Sequence, residues 1–162
     1  MYISAWLGEN SVMTDQKTIP GAGFRQSDPA SFEDRIRSAA LRPTRQRLAL
    51  AELLFSNGNR HLTAETLHSE ALHAGVKISL ATIYNNLHQF TEAGLLREVI
   101  VDASKSYFDT NVMPHHHFFH EDDGRLQDID SPELAVQGIP GLPEGTSISS
   151  IDVIVRLTKQ SS

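Results

Sequence analysis

Half of the eight histidines in this 162-residue chain fall within six positions, as His115, His116, His117 and His120 of the segment Pro114-His-His-His-Phe-Phe-His-Glu-Asp-Asp-Gly124. An internal run of imidazoles is chelating chemistry: the ring nitrogen is the commonest protein ligand for zinc, copper, nickel and iron, and an axial ligand of haem. Side chains alternate across a strand, so His115 and His117 share one face while His116, Phe118 and His120 share the other. One short segment therefore offers two chelating faces. A solvated His-rich turn would use the same residues, so what precedes the segment decides its weight. The chain has no cysteine, which excludes disulfides and thiolate zinc sites and leaves any metal to nitrogen and oxygen ligands.

Such a cluster needs elements to hold it, and the length suits one medium domain or two small ones. No run approaches the roughly 18 to 20 apolar residues that span a bilayer. The opening Met1-Tyr-Ile-Ser-Ala-Trp-Leu-Gly8 is too short and uncharged for a signal peptide, so a cytoplasmic protein without membrane contact is expected. The formal net charge of -6 is unevenly spread. Residues 30 to 60 carry six arginines against three acids, whereas residues 111 to 162 carry three cations against eight acids. A chain polarised in this way can meet phosphate with its front half and keep its back half clear of nucleic acid.

Residues 1 to 30 lack a sustained period and read as a mobile tail, within which Met13 is an alternative start. Ser31-Phe-Glu-Asp34 has the form of a helix start, with Phe32, Ile36 and Ala39 or Ala40 facing inward, and the helix ends before Pro43. Thr44 caps a second helix with an inner stripe of Leu48, Ala51, Leu54 and Phe55. Its first turn, Arg45-Gln46-Arg47, suits an anion, because phosphate gains from both the side chains and the positive end of the helix dipole. Thr63 opens a third helix running to Ala74-Gly75, and Ser79 caps a fourth from Leu80 to Ala93. The fourth buries Leu80, Ile83, Leu87 and Phe90, and shows Thr82, Tyr84, Asn85, Asn86 and Gln89, groups of a size that reads base edges.

That order predicts a helix-turn-helix with the fourth helix as reader. Two β-rich runs flanking Asp102-Ala-Ser-Lys105 then form a hairpin wing, with Lys105 at its tip in reach of phosphate. Beyond His115, strands are expected at Arg125–Ile129 and Ser147–Leu157, with a short helix at Ser131–Gln137. Those elements bury too little to stand alone, and a second copy would supply the missing surface. The fold class is therefore α+β, with a winged-helix DNA-binding domain at 31–111 and a small α/β dimerisation and ligand-sensing domain at 112–162. The expected partner is double-stranded DNA bound by a homodimer, whose two-fold axis matches a palindromic site.

Over roughly residues 31 to 160 the chain resembles the ferric uptake regulator family. The resemblance rests on Leu41-Arg-Pro-Thr-Arg-Gln-Arg47, His61-Leu-Thr-Ala-Glu-Thr-Leu67, Ser79-Leu-Ala-Thr-Ile-Tyr-Asn-Asn-Leu87 with Glu92-Ala-Gly-Leu-Leu96, and the His-rich segment. It implies a winged helix, a hinge, a dimerisation domain and metal-controlled transcription. By resemblance, Arg42 enters the minor groove and Tyr84 contacts bases, while Asn85 stands where most members have arginine; asparagine prefers adenine. The DNA-contacting set is then Arg42, Thr44, Arg45, Gln46, Ser79, Thr82, Tyr84, Asn85 and Lys105.

The family's hinge metal site maps onto His61, Asp109, His115 and His117, a set suited to Fe2+, Mn2+ or Zn2+. Its second metal site is expected to be lost or remodelled, with Pro114 and His116 at two of its positions. His120-Glu-Asp-Asp123 stands where many members carry a cysteine pair, so no Cys-ligated structural zinc is expected. Three consecutive histidines without that pair are most like the iron response regulator branch, which implies haem sensing at His115, His116 and His117. The reading is thus an iron-responsive regulator that senses haem, with a sensor of ionic Fe2+, Mn2+ or Zn2+ as the alternative. A His-ligated metalloenzyme begins from similar residues, but no separate general base is evident and the polar fourth helix would be unexplained; the protein is read as not an enzyme.

Overall fold

The computed structural model describes residues 29–130 and 134–160. In chain order they form α1 (Pro29–Ser38), α2 (Arg45–Phe55), β1 (His61–Leu62), α3 (Ala64–His73), α4 (Leu80–Glu92), β2 (Arg97–Asp102), β3 (Lys105–Asp109), β4 (His116–His120), β5 (Arg125–Ile129) and β6 (Ile154–Leu157). The architecture is α+β, as expected. Of the tail, residues 1–28 lie outside the described residues and 29–30 belong to α1, which starts two positions before Ser31. Ser31 therefore sits inside the first turn instead of capping it; proline tolerates that first turn because its missing N–H has no helical partner to lose.

Three helix starts follow from local chemistry. Thr44, Thr63 and Ser79 hold extended backbone, and their hydroxyls accept the N–H of Arg47 at 3.3 Å, Thr66 at 3.2 Å and Thr82 at 3.2 Å. The four helices close over a core centred on Ile36, Leu50, Leu54, Leu67, Ile83, Leu87 and Phe90, with Phe108 from β3. Leu80, expected inside, is only partly buried and packs at its edge.

The first sheet has the order β1-β3-β2, entirely antiparallel, with the β2–β3 hairpin behind α4 in the position of a wing. Its two-residue strand β1 was not foreseen, because a pair of residues carries no periodicity. The second sheet has the order β5-β4-β6, antiparallel between β4 and β5 and parallel between β4 and β6. A second core joins the two sheets: Val99, Val101 and Tyr107 of the hairpin bury against Phe119 and Leu126, with Ile154 alongside. Arg156 Nη2 donates to the Val101 carbonyl at 2.5 Å, and Tyr107 Oη to the Gly124 carbonyl at 2.5 Å, across the same seam.

Two expectations in the last third need correction. Of the helix expected at 131–137, residues 131–133 lie outside the described residues and Leu134–Gln137 form no helix. The strand expected at Ser147–Leu157 is confined to Ile154–Leu157, where β4 supplies hydrogen-bond partners. Between them, Val136, Ile139, Leu142, Ile148 and Ile151 are exposed. Among the described residues no helix is long and apolar enough to cross a membrane.

Candidate metal centre and nucleic-acid interface

Cross-strand register builds the metal cluster. His61 in β1 and Asp109 in β3 are directly paired, and Arg97 in β2 flanks Asp109 on its other side. In the second sheet His117 of β4 is paired with Asp128 of β5, so both point the same way. His115 approaches from the segment between the sheets. Each of these five residues offers a ligand atom, and all five atoms lie within 4.8 Å of one another. His61 Nε2 stands 3.4 Å from Asp109 Oδ2 and 2.8 Å from Asp128 Oδ1; His115 Nε2 stands 3.0 and 3.1 Å from the same oxygens, and His117 Nε2 3.4 and 3.7 Å.

These spacings fit a divalent ion. Ligands at about 2.1 Å from a common centre stand about 3 Å apart when adjacent. His61 Nε2 supplies an independent sign: it is buried and, despite the nearby carboxylates, has no partner in hydrogen-bond geometry. Buried polar atoms are rarely left so, and one that is calls for an explanation such as an ion. Three imidazoles and two carboxylates without thiolate suit Fe2+, Mn2+ or Zn2+ over soft ions. Asp128 is the ligand-bearing residue the sequence reading missed; its only signal was an acid in a strand paired with the His-rich one.

Neighbouring groups orient the donors. The His115 ring places Nδ1 2.6 Å from the Met113 carbonyl, so Nδ1 carries the proton and Nε2 presents its lone pair to the cluster. Arg97 Nη1 donates to the carbonyls of Met113 at 3.4 Å and His115 at 3.2 Å, and its Nη2 pairs with Asp152. Burial pushes the Asp109 carboxyl up, but His117, His61 and the Asn111 N–H at 2.8 Å hold it well below the usual carboxylate range. Burial likewise acts to lower the His61 pKa, and the close approach of Asp109 and Asp128 outweighs it, leaving the imidazole above its ordinary value.

The three consecutive histidines do not converge. His117 faces the cluster and His116 away from it, as alternation along β4 requires, while His115 reaches the cluster from just before the strand; the His116 Nδ1 accepts the Val153 N–H at 3.3 Å. A single haem site made of His115, His116 and His117 is thus not assembled. His120 Nε2 bonds Gln127 Oε1 at 3.1 Å. The His120–Asp123 turn is joined to the C-terminal segment by Glu121–Arg156 at 3.7 Å and by Asp122, which accepts the Lys159 N–H at 3.2 Å.

In the helical half, Arg42, Thr44, Arg45 and Gln46 are exposed around the start of α2, and Ser79 is exposed at the start of α4. Lys77, which the sequence reading passed over, shares the cleft lined by Arg45 and Gln46. The outward stripe of α4 is Ala81, Tyr84, Asn85 and His88, at helical spacing. Thr82 is half-buried, its hydroxyl 2.8 Å from that of Ser79. Two residues expected on this face are not there: Asn86 is buried and Gln89 half-buried, both turned toward Arg47 of α2. Tyr84 Oη donates to Glu65 Oε1 at 2.6 Å, and its ring stacks on His88, which meets Phe108 edge-on. Lys105 sits at the hairpin turn, but its Nζ lies 6.0 Å from the centre of the Phe119 ring, at the seam between the sheets.

A peroxide-responsive repressor, PerR, from Staphylococcus aureus strain Mu50 is 36% identical over 99 residues, covering 61% of this chain and 66% of that protein. The chain thus matches just under two thirds of that relative's length. The manganese-containing structure of the ferric uptake regulator from Pseudomonas aeruginosa superposes with a TM-score of 0.62 at 23% identity, over 80% of this chain and 98% of the other. The regulator from Vibrio cholerae gives 0.62 at 20% identity, over 78% and 98%. At that identity the structural likeness speaks for the fold, a winged helix followed by a small α/β unit. The sequence profile of the ferric uptake regulator family matches residues 38–155, and by that match the chain belongs to the ferric uptake regulator family.

Proposed function

We propose that this protein is a homodimeric, divalent-metal-responsive transcription regulator that binds promoter DNA through α4 and the start of α2. The observation that carries the reading is the five-atom cluster within 4.8 Å, which draws His61 and Asp109 from the first sheet and His117 and Asp128 from the second. A bound Fe2+, Mn2+ or Zn2+ supplies positive charge to two carboxylates that otherwise repel. His61 and Asp109 hold the helical half, His117 and Asp128 hold the second sheet, and His115 holds the segment between. Occupancy of the cluster thereby biases how the α4 stripes of two subunits sit on successive half-sites. The exposed apolar side chains of residues 136–151 support pairing with a second copy.

The test is DNA binding by gel shift on promoter fragments, with Mn2+, anaerobic Fe2+, Zn2+ or chelator. Metal-dependent retardation that disappears in Asp109→Ala is the expected result; equal retardation with and without metal sinks the proposal. The staphylococcal relative is named for peroxide, so peroxide added to iron-loaded and manganese-loaded protein separates a peroxide-responsive regulator from a sensor of metal alone. Haem sensing is the second reading, favoured by the outward face of β4 with His116, Phe118 and His120 opposite the cluster. It predicts a Soret band that His116→Ala weakens while Mn2+ binding is unchanged.

A further inference from the structure

Arg47 stands beside Arg45 and Gln46 in the first turn of α2, where the sequence places it in a phosphate-facing group. The fold turns its side chain inward. Nε donates to Asn86 Oδ1 at 3.3 Å, Nη2 to Gln89 Oε1, and Nη1 to the Arg42 carbonyl at 2.8 Å. Asn86 Nδ2 in turn donates to the Thr82 carbonyl at 2.7 Å. One guanidinium thus joins the inner flank of α4 to the backbone of the loop that carries Arg42.

We propose that Arg47 is a positioning residue for DNA reading: it sets the orientation of α4 and the placement of the Arg42 loop as one unit, and takes no phosphate itself. The physical case rests on the fork. A guanidinium presents five N–H groups in a fixed plane, and here three separate acceptors use it, whereas a lysine ammonium is a point charge that cannot span them. Hydrogen bonds from a cation to neutral acceptors are among the stronger ones, so releasing the guanidinium to a phosphate would forfeit all three. The consequence falls on specificity. Asn86 and Gln89 lie on the flank of α4 next to the outward stripe of Tyr84, Asn85 and His88, and loosening that flank rotates the stripe relative to a groove.

The inference rests on the DNA-binding reading, and the experiment separates the two. Full-length protein loaded with Mn2+ is titrated, over a range of salt, with a duplex that the wild type selects from a random-sequence pool and with a scrambled duplex. Arg47→Lys and Arg47→Ala are each expected to lose selected-site affinity on the order of ten-fold, with weaker discrimination against the scrambled duplex and an unchanged salt slope. Arg45→Ala should instead weaken both duplexes alike and flatten the slope by about one, as loss of one phosphate contact requires. Gln89→Ala keeps the guanidinium and should show the Arg47 signature in milder form, which covers the case in which the Arg47 variants do not fold. Wild-type affinity and discrimination in Arg47→Lys or Gln89→Ala, or a slope lowered by about one in Arg47→Ala, overturns the inference. A wild type that selects no duplex overturns the DNA-binding reading, and the inference with it.

Discussion

Asp109 has no exposed side-chain surface and His117 only 1%. A buried carboxylate costs several kcal/mol unless its charge is answered, and His117, His61 and the Asn111 N–H answer this one. The pH dependence follows with a definite sign. Because the His61 pKa is raised above 6.5, its contribution to metal-free stability is present below pH 6.5 and lost as pH rises through the raised value. Because Asp109 is depressed below 3.8, its contribution is present above pH 3.8 and lost as pH falls through the depressed value. The stability difference between metal-free wild type and Asp109→Asn, from urea midpoints, should therefore shrink from pH 6 to pH 9. Mn2+ affinity should move the opposite way and rise with pH over the same span, since binding displaces a proton from His61; calorimetric titrations at pH 6 and 8 check this. Asp128→Ala should weaken Mn2+ binding at any pH, which a four-ligand site of His61, Asp109, His115 and His117 would not require.

Among the elements, α1, α3 and α4 end alike. Each is closed by two backbone hydrogen bonds around a residue with positive φ: Ala40 at 57°, Gly75 at 75° and Gly94 at 71°. Glycine adopts that conformation freely, whereas alanine is strained in it. Ala40→Gly should therefore stabilise the protein by about 1 kcal/mol, read as a higher urea midpoint at unchanged slope. Arg97 marks another element-scale dependence, because its guanidinium grips the Met113 carbonyl that anchors the His115 ring, grips the His115 carbonyl as well, and pairs with Asp152 just before β6. Arg97→Ala should cost Mn2+ affinity about ten-fold without removing a ligand, with Arg97→Lys between it and wild type. The starts of α2, α3 and α4 were legible in the sequence because a cap is decided within four residues. The start of α1, the strand β1 and the non-helical Leu134–Gln137 were not, because proline placement, pairing with β3 and the surroundings of the last third decide them.

For the whole molecule, the apolar side chains left exposed between residues 134 and 153 are the clearest unmet demand. If a second copy covers them, Ile148→Glu should shift sedimentation from dimer to monomer and weaken binding to a palindromic duplex far more than to a single half-site. A monomeric wild type at micromolar concentration would refute that pairing. Packing of the hairpin on the second sheet places Lys105 at a seam, so its expected contact with phosphate depends on how far the two sheets separate on DNA.

Local order was enough to determine the caps of α2, α3 and α4, the inner positions Ile83, Leu87 and Phe90 of α4, the α+β class and the alternation that turns His116 and His117 to opposite sides of β4. Family resemblance, and not local order, named four of the five residues whose ligand atoms cluster, His61, Asp109, His115 and His117. Tertiary structure alone decided three things: that Asp128 completes the cluster, that Arg47 bonds Asn86 and Gln89 on the inner flank of α4, and that the wing lies against the second sheet. The physical reason is common to all three. Each depends on which atoms of distant segments come within about 3 Å, and sequence spacing governs periodicity within an element but not the register between elements.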